Sequence, residues 1–154
     1  MSYIDEMRKY IGHETLVTIG CGVLIEDQGS VLLQRRTDDG FWGIPGGMME
    51  VGETFEETAR RETLEETGIE VYNLDLFGLY SGENCLVEYS NKDKVFSVQV
   101  IFKTSSFEGE LYNNGDESIE QRYFSKEELP IHLNPTQAPF IKDWKNGCKQ
   151  PVIK

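Results

Sequence analysis

Between Thr54 and Gly68 the chain carries a helix signature closed at both ends, and its acidic content restricts how that helix can pack. Thr54 is a good N-cap, Glu57 completes a capping box, and Gly68 supplies a C-terminal stop. Glu62, Glu65 and Glu66 fall within an arc of roughly 100° on an ideal helix, so they share one face. Phe55, Ala59 and Thr63 form an adjoining stripe that predicts contact with a sheet. Like charges at this spacing repel, each pair costing roughly 0.2–0.5 kcal/mol in water. Stacked after a Gly46-Gly47 turn, the glutamates point to a bound cation that offsets the repulsion. The bland alternative is a solvated acidic face, the usual fate of Glu-rich helical runs.

The surrounding segments predict what this helix packs against. Thr15 to Ile25 is rich in β-branched residues and reads as a strand; Asp27-Gln28-Gly29-Ser30 is a turn, and Val31 to Arg35 completes a hairpin. Trp42-Gly43-Ile44-Pro45-Gly46-Gly47 forms a tight approach to the helix. Ile69 to Tyr80, Val95 to Thr104 and Ser118 to Phe124 read as strands, with polar turns at Asn91–Lys94 and Glu108–Glu110. A short N-terminal helix packs Ile4, Met7 and Ile11. One helical turn is expected over Ser125–Leu129, and a closing helix from near Pro135 to Gly147 packs Phe140, Ile141 and Trp144. The expectation is one mixed α/β or α+β domain over residues 1–154.

Hard oxygen donors at this density suit Mg²⁺ or Mn²⁺ better than zinc. Arg61, four residues before Glu65, is placed to pair with it and orient that carboxylate. Cys21, Cys85 and Cys148 are scattered and form no zinc-type spacing or disulfide framework, and Cys21 reads as a small buried hydrophobe. No apolar run approaches the ~20 residues of a membrane span, and the N-terminus lacks secretory features, so a cytoplasmic location is expected. A formal net charge of −12 argues against sequence-independent nucleic-acid binding, while a divalent cation still permits a small phosphorylated substrate.

Gly47, Glu53, Arg61-Glu62, Glu65-Glu66 and Gly68-Ile69 stand at fixed spacings that resemble the Nudix box, Gx5Ex7REUxEExGU. Thr63 is the one departure, standing where the family has an aliphatic residue; a modest packing change is expected there. The box covers 23 of the 154 residues. The hairpin, the WGIPGG approach and the late Glu117…Tyr123-Phe124…Glu128-Leu129-Pro130 segment extend the resemblance. It implies an α/β/α sandwich around a mixed, largely antiparallel sheet with one central acidic helix. It also implies Mg²⁺-dependent hydrolysis of a nucleoside diphosphate linked to another group, with ADP-ribose or a similar nucleotide sugar favoured. Glu62, Glu65, Glu66 and the Gly47 carbonyl become the metal ligands, with Glu53, Arg61 and Gly68 structural. Catalysis would fall to Glu62 and Glu66, with Glu62 the first choice of general base and Glu117 the second.

Arg35 and Arg36 are candidates for phosphate contact and Trp42 for base stacking, although core packing is the better expectation for Trp42. The alternative enzyme is a nucleoside triphosphate pyrophosphohydrolase. A non-catalytic nucleotide sensor is the alternative of another class, disfavoured because Glu53, Glu62, Glu65 and Glu66 are all kept. The partner is thus a small nucleotide. Homodimers common among relatives make the N-terminal segment a candidate interface.

Overall fold

The hairpin of β1 (Leu16–Asp27) and β2 (Ser30–Arg36) turns at Gln28-Gly29, both at positive φ (50° and 80°), with Asp27 opposite Ser30. Two consecutive left-handed residues suit a two-residue hairpin loop, and glycine occupies the second without strain. A computed structural model describes residues 2–112 and 118–154. Before the hairpin lies α1 (Tyr3–Ile11); after it come β3 (Trp42–Gly43), β4 (Gly46–Met48) and α2 (Phe55–Thr67). The chain continues through β5 (Glu70–Tyr72), β6 (Asp75–Tyr80), β7 (Leu86–Glu88), β8 (Lys94–Thr104) and β9 (Ser106–Glu108). It closes with β10 (Ser118–Ser125), α3 (Ala138–Asn146) and β11 (Val152–Ile153).

The large sheet runs β10-β2-β1-β8-β6-β11, with β3 on β2, β4 on β1 and β7 on β8. Only β1–β8 and β6–β11 pair in parallel, so the sheet is mixed and largely antiparallel. Along β1 the burial pattern changes. Leu16 to Ile19 alternate buried and exposed, whereas Gly20 to Ile25 are buried throughout. A strand is apolar on both faces only where both faces are covered. One cluster joins Leu24, Val31 and Leu33 to Phe140, Ile141 and Trp144 of α3. The other joins Cys21, Val23, Ile25 and Leu32 to Ala59 of α2. The α/β/α sandwich is therefore present, with α2 and α3 on opposite faces of β1 and β2.

At α2, the Thr54 hydroxyl accepts from Glu57 N at 3.1 Å and Thr54 N donates to the Glu57 carboxylate at 2.9 Å. Gly68 ends the helix at φ 77°, donating its N–H to the Leu64 carbonyl. The buried face consists of Thr58, Ala59, Thr63, Glu66 and Thr67. Phe55, expected on this stripe, is instead 47% exposed. The packed face includes Glu66, which rotates the contact line away from Phe55 in the first turn.

Three other expectations need correction. The stretch from Ile69 to Tyr80 is not one strand: it breaks at Asn73, whose φ of 52° turns the chain. Its halves join different sheets, β5 pairing with β9 and β6 with β8. Ser125–Leu129 forms a hydrogen-bonded turn, Glu128 N to Ser125 O, because β10 runs through Ser125 and Pro130 follows closely. The closing helix begins at Ala138, with Asn134 capping the preceding turn through its side-chain oxygen. In the N-terminal helix Ile4, Met7 and Ile11 are half-buried on one side, and no residue is fully buried.

All three cysteines are free, and burial pushes the Cys21 thiol up to about 12. Among the described residues no helix is long and apolar enough to cross a membrane.

Thr63 is fully buried under the sheet, and its hydroxyl has no hydrogen-bond partner among the described residues. An unpaired buried hydroxyl costs about 1–3 kcal/mol. Thr63→Val keeps the shape and removes that cost. Urea denaturation should show the variant more stable by about 1 kcal/mol or more; an unchanged or lower midpoint contradicts the account.

Candidate active site

β4 runs antiparallel to β1, opposing Gly46 to Gly22 and Gly47 to Cys21. The approach to β4 is held on its other side. Trp42 N donates to the His132 carbonyl, and Ile44 N donates to Gln137 Oε1 at 2.7 Å. A Cβ on Gly46 would lie 2.5 Å from the Cys21 carbonyl oxygen. A Cβ on Gly47 would lie 2.3–2.6 Å from the carboxylate of Glu62. Gly46 thus requires glycine for strand packing, whereas a Cβ at Gly47 would push the Glu62 carboxylate away from the backbone.

The acidic helix meets this strand in three registers of burial. Glu66 is 3% exposed: its Oε1 accepts from Gly46 N at 3.1 Å, and its Oε2 accepts from Gln34 Nε2. The Glu62 side chain is 20% exposed and lies against Gly47. The Glu65 side chain is 59% exposed and faces outward. Burial pushes Glu66 up to about 8, and the nearby Glu62 charge adds to this. The Gly46 N–H, Gln34 and the Arg36 charge work in the opposite direction.

Arg61 binds this cluster to the preceding loop. Its Nε donates to Glu53 Oε2 at 2.6 Å and its Nη2 to Glu53 Oε1 at 2.9 Å, a bidentate pair. Nη2 also donates to the Met48 carbonyl at 3.2 Å, and Nη1 to Glu62 Oε1 at 2.8 Å. The pairing with Glu65 expected from sequence is the weakest of these, at 3.5 Å. The reason is reach: the guanidinium turns back over its own helix toward the loop, where Glu53 offers both oxygens. Glu53 is further occupied by Glu50 N and the Thr58 hydroxyl, so its lone pairs are spent on structure.

Of the remaining sequence candidates, Arg36 pairs with Asp38 through two bonds, at 3.1 and 3.2 Å. Strand alternation puts Arg36 on the same face as Gln34 and Glu66, and Arg35 on the opposite face with Leu33 and α3. Arg35 is thus separated by the sheet from the acidic cluster. Trp42 is buried, packed edge-on against Phe124 with Arg122 over its ring, so it serves the core and offers no open stacking surface. Glu117 lies outside the described residues. Gln34 and Gln121 were not anticipated. A glutamine among strand residues carries no chemical pattern, and only the pairing of β2 with β10 under α2 brings them to Glu66.

Among the described residues no three His, Cys, Asp or Glu side chains already converge as an ion-holding group. The donor chemistry still fits a hard divalent cation. Carboxylate oxygens of Glu62 and Glu66 lie beside the Gly46-Gly47 backbone, and the repulsion between the two charges is what a cation would relieve.

A family model described as NUDIX domain matches residues 15–144. An ADP-ribose pyrophosphatase of Methanocaldococcus jannaschii is 34% identical over 130 residues, spanning 80% of this chain and 72% of that protein. An oxidized purine nucleoside triphosphate hydrolase of Danio rerio is 32% identical over 112 residues, 71% of this chain and 67% of its own length. Among solved structures, a MutT NUDIX hydrolase from Burkholderia pseudomallei superposes with a TM-score of 0.71 at 25% identity, covering 82% of this chain and 97% of that one.

The Arg61 contact sets an acid limit on stability. Arg61, chiefly through its hydrogen bonds, holds Glu53 at about 2, below the ordinary value of 4.5. A depressed folded-state pKa stabilises fully above the unfolded value and loses that contribution as pH falls toward the folded one. Arg61→Met should therefore lower the urea midpoint most near neutral pH, the gap to wild type narrowing between about pH 4.5 and pH 2. An equal gap at both ends of this range would show that Glu53 is not held by Arg61.

Proposed function

The chain belongs to the Nudix family, whose hydrolases act on phosphoric anhydrides, and from that premise we propose that it cleaves the diphosphate of a nucleoside diphosphate linked to another group, with ADP-ribose or a similar nucleotide sugar favoured. The observation that carries the site assignment is the arrangement of Glu62 against Gly47 and of Glu66 on the Gly46 N–H. Two of the box glutamates thereby meet the Gly46-Gly47 backbone, which supports the assignment. Similarity to the ADP-ribose pyrophosphatase favours the nucleotide-sugar class. Similarity to the purine triphosphate hydrolase carries the second reading, a nucleoside triphosphate pyrophosphohydrolase.

Family members generally use a divalent metal, and Mg²⁺ or Mn²⁺ is proposed here. Glu62, Glu65, Glu66 and the Gly47 carbonyl would hold it. When bound, such an ion withdraws charge from the diphosphate oxygens and lowers the pKa of water. Glu62, partly open to solvent and oriented by Arg61, is the proposed acceptor for the proton of the attacking water. Glu66 stays fixed beneath it. Arg36, on the same face, would turn from Asp38 to a substrate phosphate, a geometry that guanidinium forks suit. Glu53 and Arg61 keep the loop and helix in register.

Replacing Glu65 or Glu66 by Gln should lower kcat by at least about a hundredfold while thermal unfolding stays cooperative. Incubation with Mg²⁺ and a panel of ADP-ribose, other nucleotide sugars and nucleoside triphosphates decides the substrate class. AMP and ribose 5-phosphate are expected from ADP-ribose; pyrophosphate and a monophosphate as the preferred products would favour the second reading. Full activity in both glutamine variants would overturn the site.

A further inference from the structure

Gln34 is 3% exposed and follows the apolar run Val31-Leu32-Leu33 in β2, and no step above uses it. Its Nε2 donates to Glu66 Oε2. Gln121, directly opposite Gln34 on β10, donates from Nε2 to the Glu66 backbone carbonyl at 2.8 Å and to Gln34 Oε1 at 3.4 Å. The contacts close a circuit that begins and ends on Glu66.

Elementary donor and acceptor rules fix the direction of that circuit. A backbone carbonyl only accepts, so Gln121 must turn its NH2 group toward Glu66. The same NH2 meets Gln34 Oε1, so Gln34 must present its own NH2 to the Glu66 carboxylate. A reversed Gln34 amide would set oxygen against carboxylate oxygen and amide nitrogen against amide nitrogen. Each amide therefore selects the orientation of the next, and the backbone at the end of α2 decides the sense of the whole.

We propose that Gln34 and Gln121 are positioning residues: they form a two-amide relay that, with the Gly46 N–H, clamps both oxygens of the Glu66 carboxylate and holds it aligned with Glu62 and Gly47. The inference rests on Glu66 belonging to the reaction centre. It adds that side chains of β2 and β10, together with the Gly46 N–H, set the precision of Glu66. A free carboxylate rotates about its last bond; one held by donors at both oxygens does not. Groups that orient a metal-binding or reacting carboxylate in this way are typically worth 10- to 100-fold in affinity or rate.

The test compares wild type with Gln34→Met, Gln121→Met and the double variant; methionine keeps the length of the side chain without its amide. Steady-state kinetics on the best substrate should show kcat reduced by roughly 10- to 100-fold in Gln34→Met with KM changed by less than about threefold. Gln121→Met should cost less, and the double variant should be no slower than Gln34→Met, because Gln121 acts through Gln34. Mn²⁺ binding without substrate, followed by electron paramagnetic resonance, should weaken about tenfold or more in Gln34→Met. Multiplying losses in the double variant, or unchanged kcat and Mn²⁺ binding in Gln34→Met, would overturn the relay. If Gln34→Met fails to fold, Gln121→Met, at a half-buried position, carries the test through the same two readouts; wild-type values in both would overturn the relay. Glu66→Gln separates the two levels. Retained activity there refutes the reaction-centre reading, whereas lost activity with independent glutamine effects refutes only the relay.

Discussion

One guanidinium ties together the parts that have to stay aligned. Arg61 reaches Glu53 through two bonds, Glu62 through one and the Met48 carbonyl through another. It thus joins the β4 strand end, the loop before α2 and the helix itself. Arginine suits the role because its planar fork serves several acceptors without giving up its charge. The charge matters too. Acidic groups crowd this turn, and without a fixed cation Glu53 and Glu62 would repel one another across it. Glu53, saturated by Arg61, Glu50 N and Thr58, belongs to the scaffold. Glu62 keeps its carboxylate against Gly47 and stays partly exposed.

Glu66 shows the opposite solution to the same problem. It lies in the packed face of α2, where a carboxylate is costly to bury. Two N–H donors, from Gly46 and Gln34, compensate part of that cost, and Gln121 in turn bonds Gln34. Burial still dominates and raises its pKa to about 8. Thr63, three residues earlier, repeats the theme on a smaller scale, with a hydroxyl placed where an aliphatic side chain would pack without penalty. The face of α2 that meets the sheet is therefore not optimised for stability. Its polar members lie where the core meets the Gly46-Gly47 turn.

Local structure was readable wherever short-range chemistry decides it. The capping box at Thr54 and Glu57, the glycine stop at Gly68 and the Gln28-Gly29 turn each depend on residues within a few positions of one another. Box spacing was readable for the same reason, since helical periodicity puts Glu62, Glu65 and Glu66 on one side. The break at Asn73 was hidden, because the flanking strand residues look alike and only their pairing partners differ. The preference of Arg61 for Glu53 was hidden as well, because i,i+4 spacing says nothing about a loop folding back over the helix.

From its sequence alone, this chain determined an acidic helix with defined ends, a hairpin before it, the Nudix family and the spacing of the box glutamates. Those features are local or periodic, so neighbouring residues suffice to specify them. Tertiary structure decided how buried each glutamate is, which face Arg35 and Arg36 take, and that Trp42 belongs to the core. It also brought Gln34 and Gln121, 87 positions apart in the chain, to Glu66. Burial, charge coupling and hydrogen-bond direction depend on what the sheet places across the gap, and a linear order of residues does not contain that information.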